Sequence, residues 1–466
     1  MLKYLASLFL GTLLFASCDT HEKPVLDLLL SNASIVDIET NSILKNRIIG
    51  IRNDTIRFVG IQNEDPLPKA KQIIDLKGQY IMPGLWDMHV HFRGGDSLVQ
   101  ENKEFLPLFL AFGITTVRDA GGDISSDVFM WRDSINSGLI NGPRIFSSGP
   151  KLDGSKPAWP GSLRIEKKED IKVALDSLQY MKADYVKFYD GSLEKELYYA
   201  TIEEAERRGL KTTGHMPLTA KIEEAAELGL DGSEHMYYLL KSCSTKSDSL
   251  NGLNLGYGMF EDISKSYDPD IAKELFTLLA EKDFYVTPTL HISRVLTEIL
   301  DVDHEKDTLK TYVGPGIRAT YADRVERAKK AKAQGSNMRK QVLERGIEMI
   351  VPMQRAGLNI LAGSDCGASN SFVYPGESLL SELNMLVEAG LSPSEALKTS
   401  VINGPAFFNL QNYYGSVKMG KIADLIVLGQ NPLDDIQNLE KLTWLIRKNK
   451  AHSQKELMSN LSVYAN

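Results

Sequence analysis

The segment LWDMHVHF, residues 85–92, carries two histidines one position apart inside an apolar run. Successive side chains of a β-strand point to opposite faces, so His89 and His91 share one face of a strand. Two neutral imidazoles side by side form one edge of a metal site, and the alternative is a pair of core histidines bonded to the backbone. Ligand types elsewhere in the chain decide between these two interpretations.

Further candidate ligands stand at or near the ends of other short apolar segments. His215 follows TTG, His235 follows GSE, Asp365 follows LAGS, and Lys187 lies within YVKFYDG. Imidazoles and carboxylates are common ligands of divalent ions. These residues therefore form a candidate metal site if the fold brings the ends of their segments together.

Eight strand candidates alternate with amphipathic segments such as LTAKIEEAAELG at 218–229. The alternation predicts an α/β fold, a (β/α)8 TIM barrel, whose active site lies at the C-terminal ends of the strands. A doubly wound sheet is the alternative, but no Gly-rich phosphate fingerprint supports it. The longest insertion, residues 295–350, is charged and helix-forming. The candidate strands are LWDMHVHF, ITTVRDA, RIFSSGP, YVKFYDG, LKTTGHM, GSEHMYY, FYVTPTL and NILAGSD.

Lys187 is the unusual member of the candidate ligand set. A metal cation repels an ammonium group, and burial of an unpaired charge is unfavourable. A buried lysine with a lowered pKa can add CO2 to form a carbamate, an anionic ligand that can bridge two metal ions. The alternative is an ion pair with Asp190 or Glu234. The four histidines and Asp365 around it favour the carbamate.

The two ends of the chain read as short strands separated by turns. Residues 26–80 form a β layer that does not close on itself, and GSVKMGKIADLIVLGQNPLDD near the C-terminus has the same character. We therefore expect residues 26–80 and 411–466 to form a small composite β-sandwich that flanks a barrel domain of residues 81–410. Residues 19–25 are the expected linker.

The first eighteen residues, MLKYLASLFLGTLLFASC, have the pattern of a signal peptide. The ending LFASC resembles the bacterial lipoprotein box, so we expect lipid on Cys18 and a lipoprotein of the bacterial cell envelope, anchored on the periplasmic or outer surface of a membrane. A plain cleaved signal and an uncleaved N-terminal anchor are the alternatives. The remaining cysteines, Cys243 and Cys366, do not form a disulfide framework.

The overall charge argues against one class of partner. The net charge is −8, and the chain has no basic stripe, so we expect no nucleic-acid partner. With 466 residues, of which 43% are hydrophobic and 24% charged, the chain is long enough for a large core and an accessory domain. A small molecule is the expected substrate, and the oligomeric state is not predicted.

The motifs PGLWDMHVHF, TTVRDAGG, YVKFYDG, TTGHM, GSEHM, LAGSD and GSVKMGKIADLIVL resemble, in order and spacing, the amidohydrolase superfamily of metal-dependent hydrolases. Within it the chain is most similar to the imidazolonepropionase-like group with a carboxylated lysine, which includes Xaa-Pro dipeptidases. The resemblance implies that one metal is held by His89, His91 and Asp365, that a second is held by His215 and His235, and that carboxylated Lys187 bridges the two. Zn²⁺ is the expected metal, although the ligands also suit manganese, cobalt and iron.

Two metal ions at this site would lower the pKa of a shared water and polarise a substrate carbonyl. Asp365 would accept the water's proton and pass it to the leaving amine. Tyr238 and His291 could donate hydrogen bonds to the oxyanion, with packing as the alternative role of each. Arg118, Lys151 and Arg164 could bind a substrate carboxylate or could be surface or structural charges.

These cations favour a dipeptide or an N-acyl amino acid, cleaved at its amide bond. The segment SSGPKLDGSKPAWPG lacks the Gly-Gly-His stretch of many dipeptidases of this group, so a familiar substrate does not follow. A cyclic-amide or lactone hydrolase is one alternative. A non-catalytic barrel scaffold is the other, but such a protein would be expected to have lost some of the six ligands.

Overall fold

The structure is a computed structural model that describes residues 25–253 and 255–464. The expected signal peptide with Cys18, and nearly all of the expected linker, lie outside the described residues. The strands, in chain order, are β1 Leu26–Asp37, β2 Ser42–Arg52, β3 Thr55–Ile61, β4 Ala70–Asp75, β5 Tyr80–Pro83, β6 Leu85–Val90, β7 Ile114–Asp119, β8 Arg144–Ser147, β9 Leu152–Asp153, β10 Leu163–Arg164, β11 Val186–Phe188, β12 Thr212–Gly214, β13 Gly232–Glu234, β14 Tyr285–Thr287, β15 Asn359–Ile360, β16 Leu425–Leu428, β17 Leu442–Arg447 and β18 Lys450–Ser453.

Helices separate these strands throughout the central part of the chain. The α-helices, in chain order, are α1 Val99–Lys103, α2 Phe105–Ala111, α3 Ser125–Asn136, α4 Lys168–Tyr180, α5 Lys195–Arg207, α6 Ile222–Glu227, α7 Tyr237–Ser242, α8 Ser247–Leu253, α9 Phe260–Lys265, α10 Pro269–Glu281, α11 Leu290–Glu298, α12 Pro315–Ala319, α13 Ala322–Ala333, α14 Met338–Ala356, α15 Glu377–Glu388, α16 Pro393–Val401, α17 Asn403–Phe407 and α18 Gln454–Ser459. Short 3-10 helices span Asp96–Leu98, Gly256–Met259, His304–Lys306, Thr308–Tyr312 and Ile436–Lys441.

Eight parallel strands form the TIM barrel. Ladders join β6 to β7, β7 to β8, β11 to β12, β13 to β14 and β14 to β15. Between β8 and β11 the Asp184 N–H donates to the Ser147 carbonyl at 2.8 Å, and β12 lies beside β13. The barrel closes where the Asp365 N–H, after β15, donates to the His89 carbonyl of β6 at 2.7 Å. All eight strands fall within the predicted segments.

The helices cover the barrel with one apolar face each. In α5, Leu197, Thr201 and Ala205 repeat every four residues and are buried, whereas the glutamates between them face outward or lie at the edge. Ile202 of the same helix and Val186 of β11 belong to one continuous buried cluster that runs through barrel strands and helices. This cluster fixes the strands, and the strand ends in turn position the candidate ligands.

The N- and C-terminal strands pair into one eight-stranded sheet outside the barrel. Its order is β18-β17-β16-β5-β1-β2-β3, with β4 paired to β1, and β16 runs antiparallel to β5. Leu28 and Leu30 of β1, two residues apart, pack with Leu425 and Val427 of β16 in a separate buried cluster. The first and last strands of the described residues therefore meet in one sheet. The description of this part as a sandwich domain with the predicted boundaries stays a prediction.

The insertion between β14 and β15 is helical and consists of α11, α12, α13 and α14 with short 3-10 helices between them. In α14, Gly357 ends the helix in the left-handed conformation that glycine adopts easily. Within the described ranges, no helix combines the length and the hydropathy that crossing a bilayer requires.

Candidate metal centre and substrate cavity

The barrel brings the predicted metal ligands to one end. His89 lies in β6 and His91 one residue past it, while His215 follows β12 and His235 follows β13. Asp365 follows the last barrel strand, and Lys187 occupies the middle of β11. Because all the strands are parallel, their carboxyl ends meet at the same rim. We call these six residues the metal-site cluster.

The four histidines of the metal-site cluster form a continuous series. The ring centroids of His89 lie 5.1 Å from those of both His91 and His235, and His215 lies 4.9 Å from His235. Asp365 joins both halves of the series. Its Oδ1 lies 3.2 Å from His91 Nε2 and 3.5 Å from His89 Nε2, and its Oδ2 lies 3.9 Å from His235 Nε2.

Each histidine is oriented by a hydrogen bond at its Nδ1 atom. The partners are Glu234 Oε2 at 2.6 Å for His89, the Gly121 carbonyl at 2.9 Å for His91, Asp190 Oδ1 at 2.9 Å for His215 and Thr289 Oγ1 at 2.6 Å for His235. The carbonyl and the two carboxylates can only accept, so three of the rings carry a proton on Nδ1, and in a neutral ring this leaves the lone pair on Nε2. This arrangement is typical of metal-binding histidines.

The Nε2 lone pairs of these histidines point toward one another and toward a carboxylate, an arrangement that favours a bound cation. His89 Nε2 and His91 Nε2 lie 3.3 Å apart, and both face Asp365 Oδ1. Burial lowers the pKa of His89 to about 3 and holds the pKa values of His91 and His235 well below the ordinary value, so these rings are neutral. Neutral acceptors and a carboxylate that converge without a proton between them repel one another, and a divalent ion relieves that repulsion.

Lys187 is fully buried, and its Nζ has no hydrogen-bond partner among the described residues. The nearest acid is Glu234, whose Oε1 lies 3.7 Å from Nζ. Burial lowers the pKa of Lys187 to about 8, despite the opposing effect of Glu234. A buried amine without a hydrogen-bond acceptor fits a lysine that is carboxylated in the working protein.

Glu234 anchors a buried network beneath the metal-site cluster. Its carboxylate accepts from His89, from Arg118 Nη2 at 2.8 and 3.0 Å, and from Thr213 Oγ1 at 2.8 Å. Burial alone would raise the pKa of Glu234, but Arg118 and Lys187 outweigh it and hold that pKa well below its usual range. Glu234 is therefore ionised, as an acceptor for the His89 Nδ1 proton must be.

Left-handed backbone occurs at three residues that follow barrel strands. The φ angles are 61° at His235, 50° at Thr289 and 56° at Asp365. Each such non-glycine residue stores strain of about 1 to 3 kcal/mol, which persists only where the surrounding structure holds it in place. At His235 this conformation turns the imidazole toward the same centre that the preceding Glu234 serves, so the usual alternation of strand side chains ends there.

A cavity of about 530 Å³ opens directly above the metal-site cluster. His215, His235 and Asp365 lie in its lining, and this volume suits a small organic ligand. One side is aromatic and carries Trp159, Tyr189, Tyr237 and Tyr257. The other side comes from α11, α13 and α14, and we call it the helical wall; its residues are Ile292, Ser293, Leu296, Asp323, Arg324, Arg327, Met338, Arg339 and Val342.

None of the three cations expected to bind substrate is among the described residues that line the cavity. Arg118 is fully buried and is held by Glu234, by the Met88 carbonyl at 2.5 Å and by Thr287 Oγ1 at 3.1 Å. This environment matches the structural charge that the sequence left open as the alternative. Arg118 is thus committed to the network under His89, within the barrel.

Lys151 and Arg164 differ in burial. Lys151 Nζ is buried and donates at 2.8 Å to the Gly121 carbonyl, the same oxygen that accepts from His91. The side chain of Arg164 is 62% exposed and lies 4.0 Å from Glu166. Neither Lys151 nor Arg164 is among the described residues that line the cavity. Lys151 therefore holds the carbonyl that orients His91, and Arg164 has the environment of a surface charge.

The two expected oxyanion donors also have other contacts. The Tyr238 hydroxyl donates to Asp190 Oδ2 at 3.0 Å, and the same oxygen accepts from Tyr257 at 2.6 Å. Tyr238 therefore acts on His215 through Asp190. His291 lies in α11, where its backbone N–H donates to Glu382 Oε2 at 2.7 Å. Its neighbours Ile292 and Ser293 line the cavity, but His291 is not among the described lining residues.

Sequence reasoning missed the partners that orient the histidines. Asp190 and Glu234 were considered only as counterions of Lys187, and Thr289 and Gly121 were not considered at all. A usable signal existed for Glu234, because it directly precedes His235 at the end of a barrel strand. The helical wall had no comparable signal, since its helices are positioned only by tertiary packing.

Fold and site together define a (β/α)8-barrel protein with a histidine-rich, metal-competent centre at the carboxyl ends of its strands. The family model described as "Amidohydrolase family" matches residues 80–447, so the chain belongs to the amidohydrolase family. The resemblance read from the motifs is thereby confirmed. Members of this family generally use metal ions, in agreement with the closeness of His89, His91 and Asp365.

Several curated relatives are similar to this chain. An imidazolonepropionase of Bacillus cereus (strain G9842) is 25% identical over 249 residues, which are 43% of this chain and 58% of that protein, so the match spans little more than half of the relative. An ochratoxinase of Aspergillus niger is 23% identical over 435 residues, which cover 84% of this chain and 79% of that protein.

Solved structures share the fold. A Xaa-Pro dipeptidase with bound methionine in its active site superposes with a TM-score of 0.67 at 19% identity, covering 91% of this chain and 99% of that one. A bottromycin amidohydrolase superposes with a TM-score of 0.72 at 18% identity, covering 94% and 89%. At these identities the likeness concerns the fold.

Proposed function

We propose that the protein is a metal-dependent hydrolase that cleaves the amide bond of a small molecule, a dipeptide or an N-acyl amino acid. The observation that carries the proposal is the common orientation of the histidines. Each ring of the metal-site cluster is held at Nδ1, and at least three of them leave Nε2 free for a metal ion. The names of two relatives of this fold, a dipeptidase and an amidohydrolase, support the amide bond as the target.

The donor set fits two divalent ions, of which we expect Zn²⁺, and a carbamate on Lys187. His89, His91 and Asp365 would hold one ion, His215 and His235 the other, and carboxylated Lys187 would bridge them. Carboxylation forms an N–C bond between Nζ and CO2 and releases one proton, which converts an unpartnered buried amine into an anionic ligand. When bound, the ions would supply Lewis acidity for water activation and carbonyl polarisation.

Asp365 is the expected proton carrier. Its Oδ1 accepts from Asn370 Nδ2 at 2.8 Å, so the carboxylate is fixed in direction while Oδ2 faces the cavity side of His235. A carboxylate at this place can accept a proton from the attacking water and deliver it to the leaving amine nitrogen. The cavity above it leaves room for the reacting part of a small substrate.

The test combines metal analysis with a substrate screen. We expect about two divalent ions per chain, and hydrolysis of dipeptides or N-acyl amino acids that carry a free carboxylate. The same substrates blocked as methyl esters or amides should react about tenfold more slowly or worse, a loss of about 1.4 kcal/mol of transition-state stabilisation. Activity confined to lactones or cyclic amides would instead favour the alternative hydrolase, and metal binding without any hydrolysis would favour a scaffold.

We also propose that the protein is a lipoprotein of the bacterial envelope, acylated at Cys18. The proposal rests on the LFASC sequence alone, because Cys18 lies outside the described residues. Mass spectrometry of the native protein should find a diacyl or triacyl group on Cys18, and Cys18→Ser should release the protein from membranes. A mature N-terminus at another residue without lipid would contradict this proposal.

A further inference from the structure

The helical wall carries more positive charge than its own contacts neutralise. Arg327 pairs with Asp323 at 2.6 Å, and the wall contains two further arginines, Arg324 and Arg339. Arg339 is half-buried, and within residues 25–253 and 255–464 no hydrogen bond or ion pair joins its guanidinium to another side chain. Burial and the neighbouring charges of Arg324 and Arg327 lower the pKa of Arg339, with Tyr237 opposing. An anion bound at this wall would relieve the repulsion.

Arg324 connects the helical wall to the metal-site cluster. Its Nε donates to the Ser369 carbonyl at 3.2 Å and its Nη2 to Asn370 Oδ1 at 3.3 Å. Asn370 in turn donates to Asp365 Oδ1 at 2.8 Å. Arg324 is therefore only two hydrogen bonds away from the expected proton carrier, and a group bound beside it lies close to the reacting centre.

Apolar side chains flank these arginines. Ile292 and Leu296 are four residues apart on α11, and Met338 and Val342 are four residues apart on α14, so each pair forms a short stripe along its helix. Arg339 follows Met338 directly. The wall thus offers a positive group beside an apolar surface, which is complementary to an amino acid with a free carboxylate and an apolar side chain.

We propose that Arg339, with Arg324 beside it, binds the carboxylate of the substrate, while the apolar stripes of α11 and α14 contact the adjacent side chain. This assignment rests on the proposed function and replaces Arg118, Lys151 and Arg164 as the carboxylate-binding residues. The guanidinium of Arg339 is the part of this site without a competing partner among the described residues. Its donors are therefore available to a carboxylate.

Binding of a carboxylate that cannot be hydrolysed tests the assignment. The probe is 4-phenylbutanoate, and its neutral counterpart is 4-phenylbutanol, each titrated into the metal-loaded enzyme by calorimetry. We expect the wild type to bind the acid about tenfold or more tightly than the alcohol, and Arg339→Gln to lose about tenfold for the acid alone. Arg324→Gln is less informative, because it also removes a contact to Asn370.

Lys340→Gln is the matched control. Lys340 adjoins Arg339 on α14, but its side chain is 68% exposed and lies 3.9 Å from Glu344. The variant removes the same charge from the same helical turn and should bind both probes as the wild type does. Wild-type affinity for the acid in Arg339→Gln, or equal binding of acid and alcohol by the wild type, would overturn the assignment.

The outcome is independent of turnover, because neither probe contains an amide bond. An enzyme that shows the charge preference but hydrolyses no amide would contradict the proposed function and leave the carboxylate site standing. With an active enzyme, Arg339→Gln should raise KM for free-acid substrates by about tenfold and leave KM for the corresponding amides unchanged. A fall in kcat that is equal for both substrates would contradict the assignment.

Discussion

The metal-site cluster and the helical wall face the same cavity but are built in different ways. In the cluster, each histidine is held by a second residue, and Glu234 is held in turn by Arg118 and Thr213. In the wall, Arg339 has no such support among the described residues, and its neighbours belong to helices of an insertion. The cluster is built to keep one geometry, whereas the wall has donors left for a ligand.

This difference separates chemistry from selection of substrate. Groups that must align reacting atoms tolerate little displacement, so they lie on strand ends that the barrel core fixes. Groups that select a substrate need unsatisfied donors and an accessible surface, and a helical insertion above the strands supplies both. Variants in the cluster should therefore impair every substrate, and variants in the wall should affect some substrates more than others.

The largest expected effect comes from Lys187 in the cluster. Lys187→Ala removes the proposed bridging ligand, so we expect loss of metal and a fall in kcat/KM of about a thousandfold, or about 4 kcal/mol. Acetate or propionate should restore part of both, since a small carboxylate can occupy the space of the carbamate. Equal concentrations of chloride serve as the control for ionic strength. Full metal content and normal turnover in Lys187→Ala would rule out the bridging role.

Asp190→Asn tests whether the cluster depends on its supporting residues. Asp190 holds His215 Nδ1, and although burial raises its pKa, His215 and the two tyrosine hydroxyls outweigh that effect and keep the pKa low. The amide that replaces the carboxylate can still accept the hydrogen bond from His215 Nδ1, but it lacks the negative charge. We therefore expect metal affinity to fall by about 10- to 100-fold. Metal titration by competition with a chelator measures this change.

Asp231→Asn is the matched control for Asp190→Asn. Asp231 lies at the amino-terminal ends of β12 and β13, opposite the strand ends that carry His215 and His235, where it accepts from the Thr212 N–H at 2.7 Å and from Lys211 at 2.6 Å. The variant should reduce the midpoint of thermal unfolding without changing metal affinity. Equal losses of metal affinity in both variants would indicate that general destabilisation of the barrel explains the effect.

The sequence is informative about the cluster for a geometric reason. In a parallel barrel the carboxyl ends of all strands meet, so a side chain that ends a predicted strand is placed without knowledge of its packing. His89, His91, His215, His235 and Asp365 satisfy that condition, and the structure brings them together. The eight barrel strands were predictable from their pattern, since each is a short segment between amphipathic helices.

The rest depends on packing that sequence patterns do not encode. Strand alternation cannot predict that Glu234 and His235 serve the same centre, because the left-handed φ of His235 interrupts the alternation. Charge alone did not distinguish Arg118, buried inside the barrel, from Arg339, which lines the cavity. Helical periodicity predicts that an insertion forms helices, but the orientation of its arginines follows from how those helices pack against the barrel.

A smaller effect is expected from Tyr238, which contacts the metal-site cluster only through Asp190. If its hydroxyl stabilised an oxyanion directly, Tyr238→Phe would reduce kcat by about 100-fold or more. Because the hydroxyl is bonded to Asp190, we expect a loss of only about two- to fivefold at saturating metal. Steady-state kinetics with and without added metal separate the two roles, since added metal makes the loss smaller only if Tyr238 acts indirectly, whereas the loss of a direct oxyanion donor is the same at both metal concentrations.

The smallest effect is expected from Arg164, which tests whether substrate selection extends beyond the helical wall. Its side chain is 62% exposed, its nearest acid is Glu166 at 4.0 Å, and a charge in that setting contributes little because solvent screens it. Arg164→Gln should therefore change KM for a free-acid substrate by less than about twofold, whereas Arg339→Gln should raise it about tenfold.

Parallel measurements in low and high salt sharpen the test. A screened surface charge loses even its small effect in high salt, but a direct contact to a desolvated carboxylate keeps most of its effect. If Arg164→Gln raised KM as strongly as Arg339→Gln did, substrate selection would extend to the loop after β8, and the division between cluster and helical wall would have to be redrawn.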